Sequence, residues 1–470
     1  MKKLLLILVV ALTACGGPAT GPATITGHVE NPAGEEVEIY YVKEFVTNTR
    51  EEAMAILDEN NRFSASLPLE EPRLVSVRIP RRSISLYLEP GAEVNVSFDA
   101  DDTTQMPDIE GDLIPENRVL AGYNADVANK YARMTVLSRA EDMDPNEFRQ
   151  YVNEIWEEKL NYLENDVRYD ELNEDFLSIM RANIQYEKLG QLMEYPMAAA
   201  HFRELDSPMD LPEDYYDFLD DASTFDDQYT NLSSYVAFLN AYQNYMMEKN
   251  EPSEGYGDRD YYEIMFEQSY DAFSGETRDI ALAGAVISMI RYGDFELAGE
   301  HYEQFMDLAT SDKFKELVDA EYQQALDLSP GKPAPEFTLT DINGEEVSLS
   351  DFSGQVVYLD FWASWCGPCM REVPYARELK TRMEGHDDLV FLYISVDTDE
   401  EAWRSKVAEE NIKGVHLNVS GFSHEVPASY NLRGVPTFYL IGRDGHIIDN
   451  RPPRPSHEDI DEVLLAALEE

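Results

Sequence analysis

Two of the three cysteines in this chain of 470 residues stand three positions apart, in the stretch FWASWCGPCMREVP (361–374). The residues before them, VVYLDFW (356–362), are almost all apolar, which is typical of a central strand that is covered on both faces. The residues after them, VPYARELKTRM, have the spacing of a helix. Strands and helices alternate in the rest of the C-terminal part, which indicates an α/β layered fold.

This context predicts a chemistry for the cysteine pair. Cys366 is placed at the N-terminus of the helix, where unpaired backbone N–H groups and the macrodipole favour negative charge. We therefore expect its thiol to ionise more readily than an ordinary cysteine. Pro368 suits the first helical turn because it needs no N–H partner. Cys369 lies almost one turn further on, within reach of the first sulfur.

Two other uses of the pair are weaker. A structural zinc site needs four ligands, and the chain has no second cysteine pair and no histidines with ligand spacing. An inert disulfide would close so short a loop that it constrains the unfolded chain little. We expect no metal ion and no other cofactor.

The composite of DFWASWCGPC, Glu372, Pro374 and RGVPTFYLI (433–441) resembles the thioredoxin superfamily. The hairpin before it and the insertion EEAWRSKVAEENI–VHLNV resemble the TlpA/ResA-like redoxins. The resemblance covers about residues 331–470 and implies a thioredoxin-like domain over 330–470. It implies that Cys366 attacks a substrate disulfide and that Cys369 resolves the mixed disulfide, so that the two form the redox-active disulfide.

The resemblance also implies roles for residues near the cysteines. Asp360 matches the buried aspartate of thioredoxin, which takes or gives the proton of the second cysteine, although Tyr393 stands where thioredoxin has a lysine partner. Glu372 matches an acidic residue near the active site of the ResA-like branch. The alternative for Asp360 is a core aspartate whose hydrogen bonds are satisfied, and the alternative for Glu372 is a solvent-exposed glutamate on a helix. The residues expected to contact substrate are Trp365, Gly367, Pro368, Val435 and Pro436, the last aligned with the cis-proline of the superfamily.

The N-terminal stretch MKKLLLILVVALTAC predicts a secretory signal peptide over residues 1–15. Its last residues resemble a bacterial lipobox, which implies lipidation at Cys15; an ordinary signal peptide with a chance cysteine is the alternative. Residues 16–24, with the repeat GPATGPAT, predict a flexible tether. No acidic cluster follows Cys15, which favours the outer membrane. We expect a lipid-anchored protein of the cell envelope that faces the periplasm.

Two further domains are predicted between the tether and the redoxin-like part. Residues 25–100 show strand alternation, as in Ile84, Leu86 and Leu88, and predict a small antiparallel β-sandwich. Residues 101–329 have helical spacing and predict an α-helical domain that begins one helix at Asp144-Pro145. The aromatic stripe of that domain, with Tyr235 and Phe238, is interpreted as core, with a partner groove as the alternative. The stretch LSPGKPAPEF (328–337) marks the next boundary.

The net charge of −55 argues against nucleic acid and anionic membrane surfaces as partners. The leading hypothesis is a membrane-anchored periplasmic reductase of protein disulfides, recharged by a membrane thiol transporter, with cytochrome c maturation among its candidate roles. A thiol peroxidase is a weaker hypothesis. Its P-x-x-x-T-x-x-C motif requires a proline and a threonine where this chain has Leu359 and Ala363. A substrate-binding or scaffold lipoprotein with an accessory redox domain is the third.

Overall fold

The structure, a computed structural model, describes residues 21–207, 209, 211–219, 224–251, 257 and 259–469. The predicted signal peptide, Cys15 and most of the predicted tether lie outside the described residues. The chain divides into two compact units. The first runs to Ala285 and also includes Leu308–Ser311, and the second comprises Val286–Asp307 and the residues from Asp312 onward. The second unit carries the cysteine pair and includes residues upstream of position 330.

The first unit begins with a β-sandwich. Its strands are β1 (Ala23–Glu30), β2 (Glu36–Glu44), β3 (Thr49–Ile56), β4 (Arg62–Leu67), β5 (Arg73–Ile79), β6 (Arg82–Leu88), β7 (Glu93–Asp99) and β8 (Asp108–Gly111). One sheet has the order β4-β1-β7-β8 and the other β3-β2-β5-β6. Ile84, Leu86 and Leu88 lie in the core, as the alternation predicted. Strands β1 and β7 pair in parallel, whereas the other neighbours are antiparallel.

Helices make up the rest of the first unit. They are α1 (Ile114–Tyr123), α2 (Arg133–Leu137), α3 (Pro145–Glu164), α4 (Glu174–Phe202), α5 (Ser233–Lys249), α6 (Tyr261–Ala272) and α7 (Gly275–Tyr292), whose last residues belong to the second unit. Asp144 and Glu147 form a capping box that starts α3 where the sequence predicted. Tyr235 and Phe238 of α5 are buried, which supports the core interpretation. No helix in the described residues combines the length and the apolar character needed to cross a bilayer.

The second unit continues with two helices and an α/β sheet domain. Its elements are α8 (Phe295–Leu308), α9 (Asp312–Asp327), β9 (Thr338–Thr340), β10 (Glu346–Ser348), β11 (Val356–Trp362), α10 (Gly367–Arg382), β12 (Leu389–Ser395), α11 (Glu400–Glu409), β13 (Val415–Asn418), α12 (Glu425–Ser429), β14 (Thr437–Ile441), β15 (Ile447–Asp449) and α13 (Ile460–Glu469). Strands β9 and β10 form a separate antiparallel hairpin.

The main sheet of this unit has the strand order β13-β12-β11-β14-β15. Strands β11, β12 and β13 are parallel, and β14 and β15 run antiparallel to their neighbours. All residues of β11 are buried, as its continuous apolar run predicted. The cysteine pair follows the carboxyl end of β11, the usual position of a site in an α/β sheet.

Candidate active site

Cys366 is the N-cap residue of α10, and its Sγ atom is bonded to that of Cys369 at 2.04 Å. The same Cys366 sulfur accepts a hydrogen bond from the backbone N–H of Cys369 at 3.1 Å. Both cysteines are nearly covered, with 3% and 4% of their surface exposed. The start of the helix therefore supplies a donor that stabilises negative charge on Cys366 when the disulfide is opened.

Asp360 lies in β11, where it pairs with Tyr393 of β12. Its side chain is buried, and Oδ1 has no hydrogen-bond partner among the described residues. Burial, with a further contribution from the negative charge of Glu372, raises the pKa of Asp360 to about 8. Tyr393 is also buried and supplies no positive charge to counter this shift, unlike the lysine that thioredoxin carries at the matching place. The carboxyl group can therefore exchange a proton near neutral pH.

A narrow cavity is lined by both this aspartate and Cys369. It is lined by Asp360, Cys369, Glu372 and Pro436, among others, and has a volume of about 10 Å³. Such a volume is close to the minimum of roughly 10–15 Å³ that holds one water molecule. Asp360 and Cys369 therefore face a common space with room for about one water molecule.

Glu372 lies in α10, with its carboxylate held by Ser456. The Ser456 backbone N–H and hydroxyl each donate to one carboxylate oxygen at 3.0 Å. Glu372 therefore acts on the site through its charge, which contributes to the raised pKa of Asp360. Nothing in the sequence links Ser456 to this carboxylate, because 84 residues separate the two.

The residues expected to contact substrate surround the buried sulfurs. Trp365, Gly367 and Pro368 are all exposed, and Trp365 reaches 63% exposure. On the other side, the carbonyl oxygen of Val435 lies 3.5 Å from Cys366 Sγ, and the Val435–Pro436 peptide bond is cis, the conformation that the family resemblance implies.

Asp397 is a site residue that the sequence did not single out. It is buried just beyond the end of β12 and accepts hydrogen bonds from the backbone N–H and the hydroxyl of Ser364, at 2.9 and 2.6 Å. It also accepts one from the Ser395 hydroxyl at 2.6 Å. The loop that leads to Cys366 is thereby fixed to the neighbouring strand. An aspartate directly after an apolar strand was the available signal.

Comparison with known proteins places these residues in a family. A model of the redoxin family matches residues 329–464. The thiol-disulfide oxidoreductase ResA of Bacillus thuringiensis subsp. konkukian is 32% identical over 135 residues, which cover 28% of this chain and 76% of that protein. ResA of Geobacillus kaustophilus is 33% identical over 136 residues, which cover 28% of this chain and 75% of that protein.

The chain is also similar to solved structures. A thiol-disulfide oxidoreductase from Bacteroides fragilis NCTC 9343 is 28% identical and has a TM-score of 0.27, covering 29% of this chain and 99% of its own. The residues matched by the redoxin model include both cysteines, Asp360 and Pro436.

Proposed function

Because this chain belongs to the redoxin family, as a ResA-type thiol-disulfide oxidoreductase, we propose that it reduces protein disulfides at the periplasmic face of a membrane. The observation that carries this proposal is the covered Cys366–Cys369 disulfide at the start of α10, beside the buried and protonatable Asp360. The proposed lipid anchor on Cys15 is supported by the sequence of residues 1–15, and the outer membrane by the lack of an acidic cluster directly after Cys15.

Reduction begins from the dithiol form, with Cys366 as thiolate. Its sulfur attacks one sulfur of the substrate disulfide, the substrate S–S bond breaks, and a disulfide between Cys366 and the substrate forms. The substrate sulfur that leaves takes a proton from solvent. The Cys369 N–H, which lies 3.1 Å from Cys366 Sγ, favours the attacking charge. The backbone of Val435 lies on the side from which a substrate chain would approach.

Cys369 then completes the exchange. Asp360, in its carboxylate form, accepts the thiol proton of Cys369 across the cavity that both residues line. The freed thiolate attacks Cys366, the mixed disulfide breaks, and the second substrate sulfur leaves as a thiolate that takes a proton from solvent. Asp360 returns the proton of Cys369 to solvent. Two electrons and two protons have reached the substrate, and the protein holds the Cys366–Cys369 disulfide.

The direction of this reaction depends on the reduction potential of the pair. The Gly-Pro dipeptide between the cysteines matches thioredoxin, whose potential is about −270 mV. We expect a similarly low value, with electrons supplied by a membrane thiol transporter and used on periplasmic proteins, apocytochrome c cysteines among them. Equilibration with glutathione measures the potential. A value near that of a strong oxidant, about −120 mV, would reverse the proposed direction.

Trapping tests the order of the two cysteines. Cys369→Ala removes the resolving thiol, so we expect Cys366 to accumulate in mixed disulfides that mass spectrometry can identify after non-reducing separation. Cys366→Ala is the matched control and should trap nothing, because the remaining cysteine is not the attacking group. Equal trapping by both variants, or trapping by the control alone, would contradict the assignment.

A further inference from the structure

A second, wider cavity of the second unit opens beside the active site and has a volume of about 400 Å³. It is lined by residues of α7, α9, the segment before β14 and the segment after β15. The arginines that line it are Arg291, Arg433, Arg451 and Arg454. None of the described residues that line it is acidic.

The arginines of this cavity are only partly neutralised. Glu321 of α9 pairs with both Arg291, at 2.9 Å, and Arg433, at 2.7 Å. Arg451 donates to the backbone carbonyl oxygens of Ile290 and Gly293, which carry no formal charge. In the described part of the chain, no carboxylate forms an ion pair with Arg451 or Arg454. Among the described residues, ion pairs therefore join one carboxylate to two of the four guanidinium groups, and the Asp449 carboxylate accepts the backbone N–H of Arg451 at 2.8 Å. The cavity keeps an excess of positive charge.

This concentration of positive charge stands out in a chain whose net charge is −55. An acidic surface repels an anionic partner, whereas a cavity lined by four arginines, two of which have no carboxylate partner in the described residues, attracts one. Guanidinium groups bind carboxylates through paired, planar hydrogen bonds, so arginine favours this ligand class more than lysine would.

The cavity is continuous with the place where a substrate would react. Val435 touches Cys366 Sγ through its carbonyl oxygen, at 3.5 Å, and the next residue, Pro436, lines the arginine cavity. An extended peptide advances by about 3.3 Å per residue. A chain that lies along Val435–Pro436 with its cysteine at Cys366 therefore enters the cavity within a few residues.

We propose that the arginine cavity binds an acidic segment of the protein substrate, with Asp or Glu carboxylates a few residues from the cysteine that reacts. The inference rests on the proposed function, because it names the class of substrate for the same disulfide. The cavity selects substrates by charge, and Arg454 is its simplest probe because the side chain is exposed and has no ion-pair partner in the described residues.

The test compares two peptides that each carry one disulfide and differ only beside a cysteine, with Asp-Glu-Asp in one and Asn-Gln-Asn in the other. Dithiothreitol supplies the electrons to the full-length protein, and kcat/KM is measured for both peptides. We expect the acidic peptide to be preferred, and Arg454→Gln to lower that preference up to about fivefold, as for one exposed ion pair. The preference should weaken with added salt.

Arg382→Gln is the matched control. It removes one positive charge from the same unit, but Arg382 pairs with Asp461 and does not line the cavity. We expect it to leave the preference unchanged. Equal kcat/KM for the two peptides in the parent protein, or the same preference in Arg454→Gln as in the parent, would overturn the inference.

Two further measurements separate the ways in which the proposal can fail. Bis(2-hydroxyethyl) disulfide carries no charge, so its reduction tests the proposed reductase function alone. If the protein does not reduce it, both the proposed function and the acidic-substrate inference are overturned. If the protein reduces it but does not prefer the acidic peptide, only the acidic-substrate inference is overturned. Vesicles of phosphatidylglycerol test a lipid headgroup as the ligand. If Arg454→Gln abolishes binding to these vesicles and the parent protein shows no preference between the peptides, the ligand of the cavity is a lipid headgroup and the acidic-peptide inference is overturned.

Discussion

Replacing Asp360 with asparagine should stabilise the oxidised protein, and the gain should grow with pH. The carboxyl is buried in β11, its Oδ1 has no hydrogen-bond partner in the part of the chain that the structure describes, and its pKa is raised from 3.8 to about 8. Between these two pH values the folded protein holds a proton that the unfolded chain has released. The contribution of Asp360 to the stability of the parent protein therefore falls as pH rises through this window, and it is most favourable below the pKa of the unfolded state.

The size of the effect follows from the shift. One pKa unit corresponds to about 1.4 kcal/mol, so the buried carboxyl lowers the free energy of unfolding by about 4 kcal/mol at pH 7 and about 6 kcal/mol above pH 8. Asparagine has nearly the same shape and no charge, so it avoids this loss. We expect Asp360→Asn to match the parent near pH 4 and to exceed it by about 4 kcal/mol at pH 7.

Urea denaturation between pH 4 and 9 measures this difference, with the disulfide intact. Tryptophan fluorescence follows the second unit, because Trp362, Trp365 and Trp403 belong to it and Trp156 alone belongs to the first. Asp387→Asn, at an exposed position of the same unit, is the control and should show no growing difference. A gain for Asp360→Asn that does not depend on pH, or a loss of stability at pH 7, would refute the reasoning.

Two other substitutions test the surroundings of the cysteines. Glu372→Gln should lower the pKa of Asp360, because the negative charge of Glu372 is the second cause of its rise; a ¹³C NMR titration of the carboxyl measures this, and an unchanged value would contradict it. Asp397→Asn removes the charged acceptor of the Ser364 and Ser395 bonds, so we expect about 2 kcal/mol less stability and slower disulfide reduction. Thermal denaturation and turnover measure the two effects, and a variant equal to the parent in both would exclude a positioning role for Asp397.

Features that depend on neighbouring residues could be predicted from the sequence. The burial of Asp360 followed from the apolar residues on both sides of it, and the position of Cys366 at the helix start followed from the strand before it and the helix after it. The capping box that starts α3 is likewise encoded within four residues, Asp144 to Glu147. The roles of the site residues in catalysis stay predictions.

Features that depend on contacts between residues far apart in the chain could not be predicted from the sequence. The bond from Ser364 to Asp397 exists because β11 and β12 pair in parallel, with Trp362 opposite Ser395, and no local pattern states that register. The arginine cavity combines residues from position 290 to position 454. The prolines after Leu328 correctly indicated that α9 ends at Asp327. They did not indicate which helices belong to the same unit as the C-terminal sheet, because that depends on side-chain contacts between distant residues.

The carboxylate of Glu321 has a practical consequence for dissecting this chain. It bridges Arg291 and Arg433, and Arg433 stands two residues before Val435, whose carbonyl oxygen touches the reactive sulfur. A fragment cut at residue 330 would keep every cysteine-proximal residue, yet it would leave that guanidinium without its counter-ion next to the substrate path. Fragments that begin before Val286 would retain the ion pair, and a difference in turnover between the two fragments would report what the residues upstream of position 330 contribute.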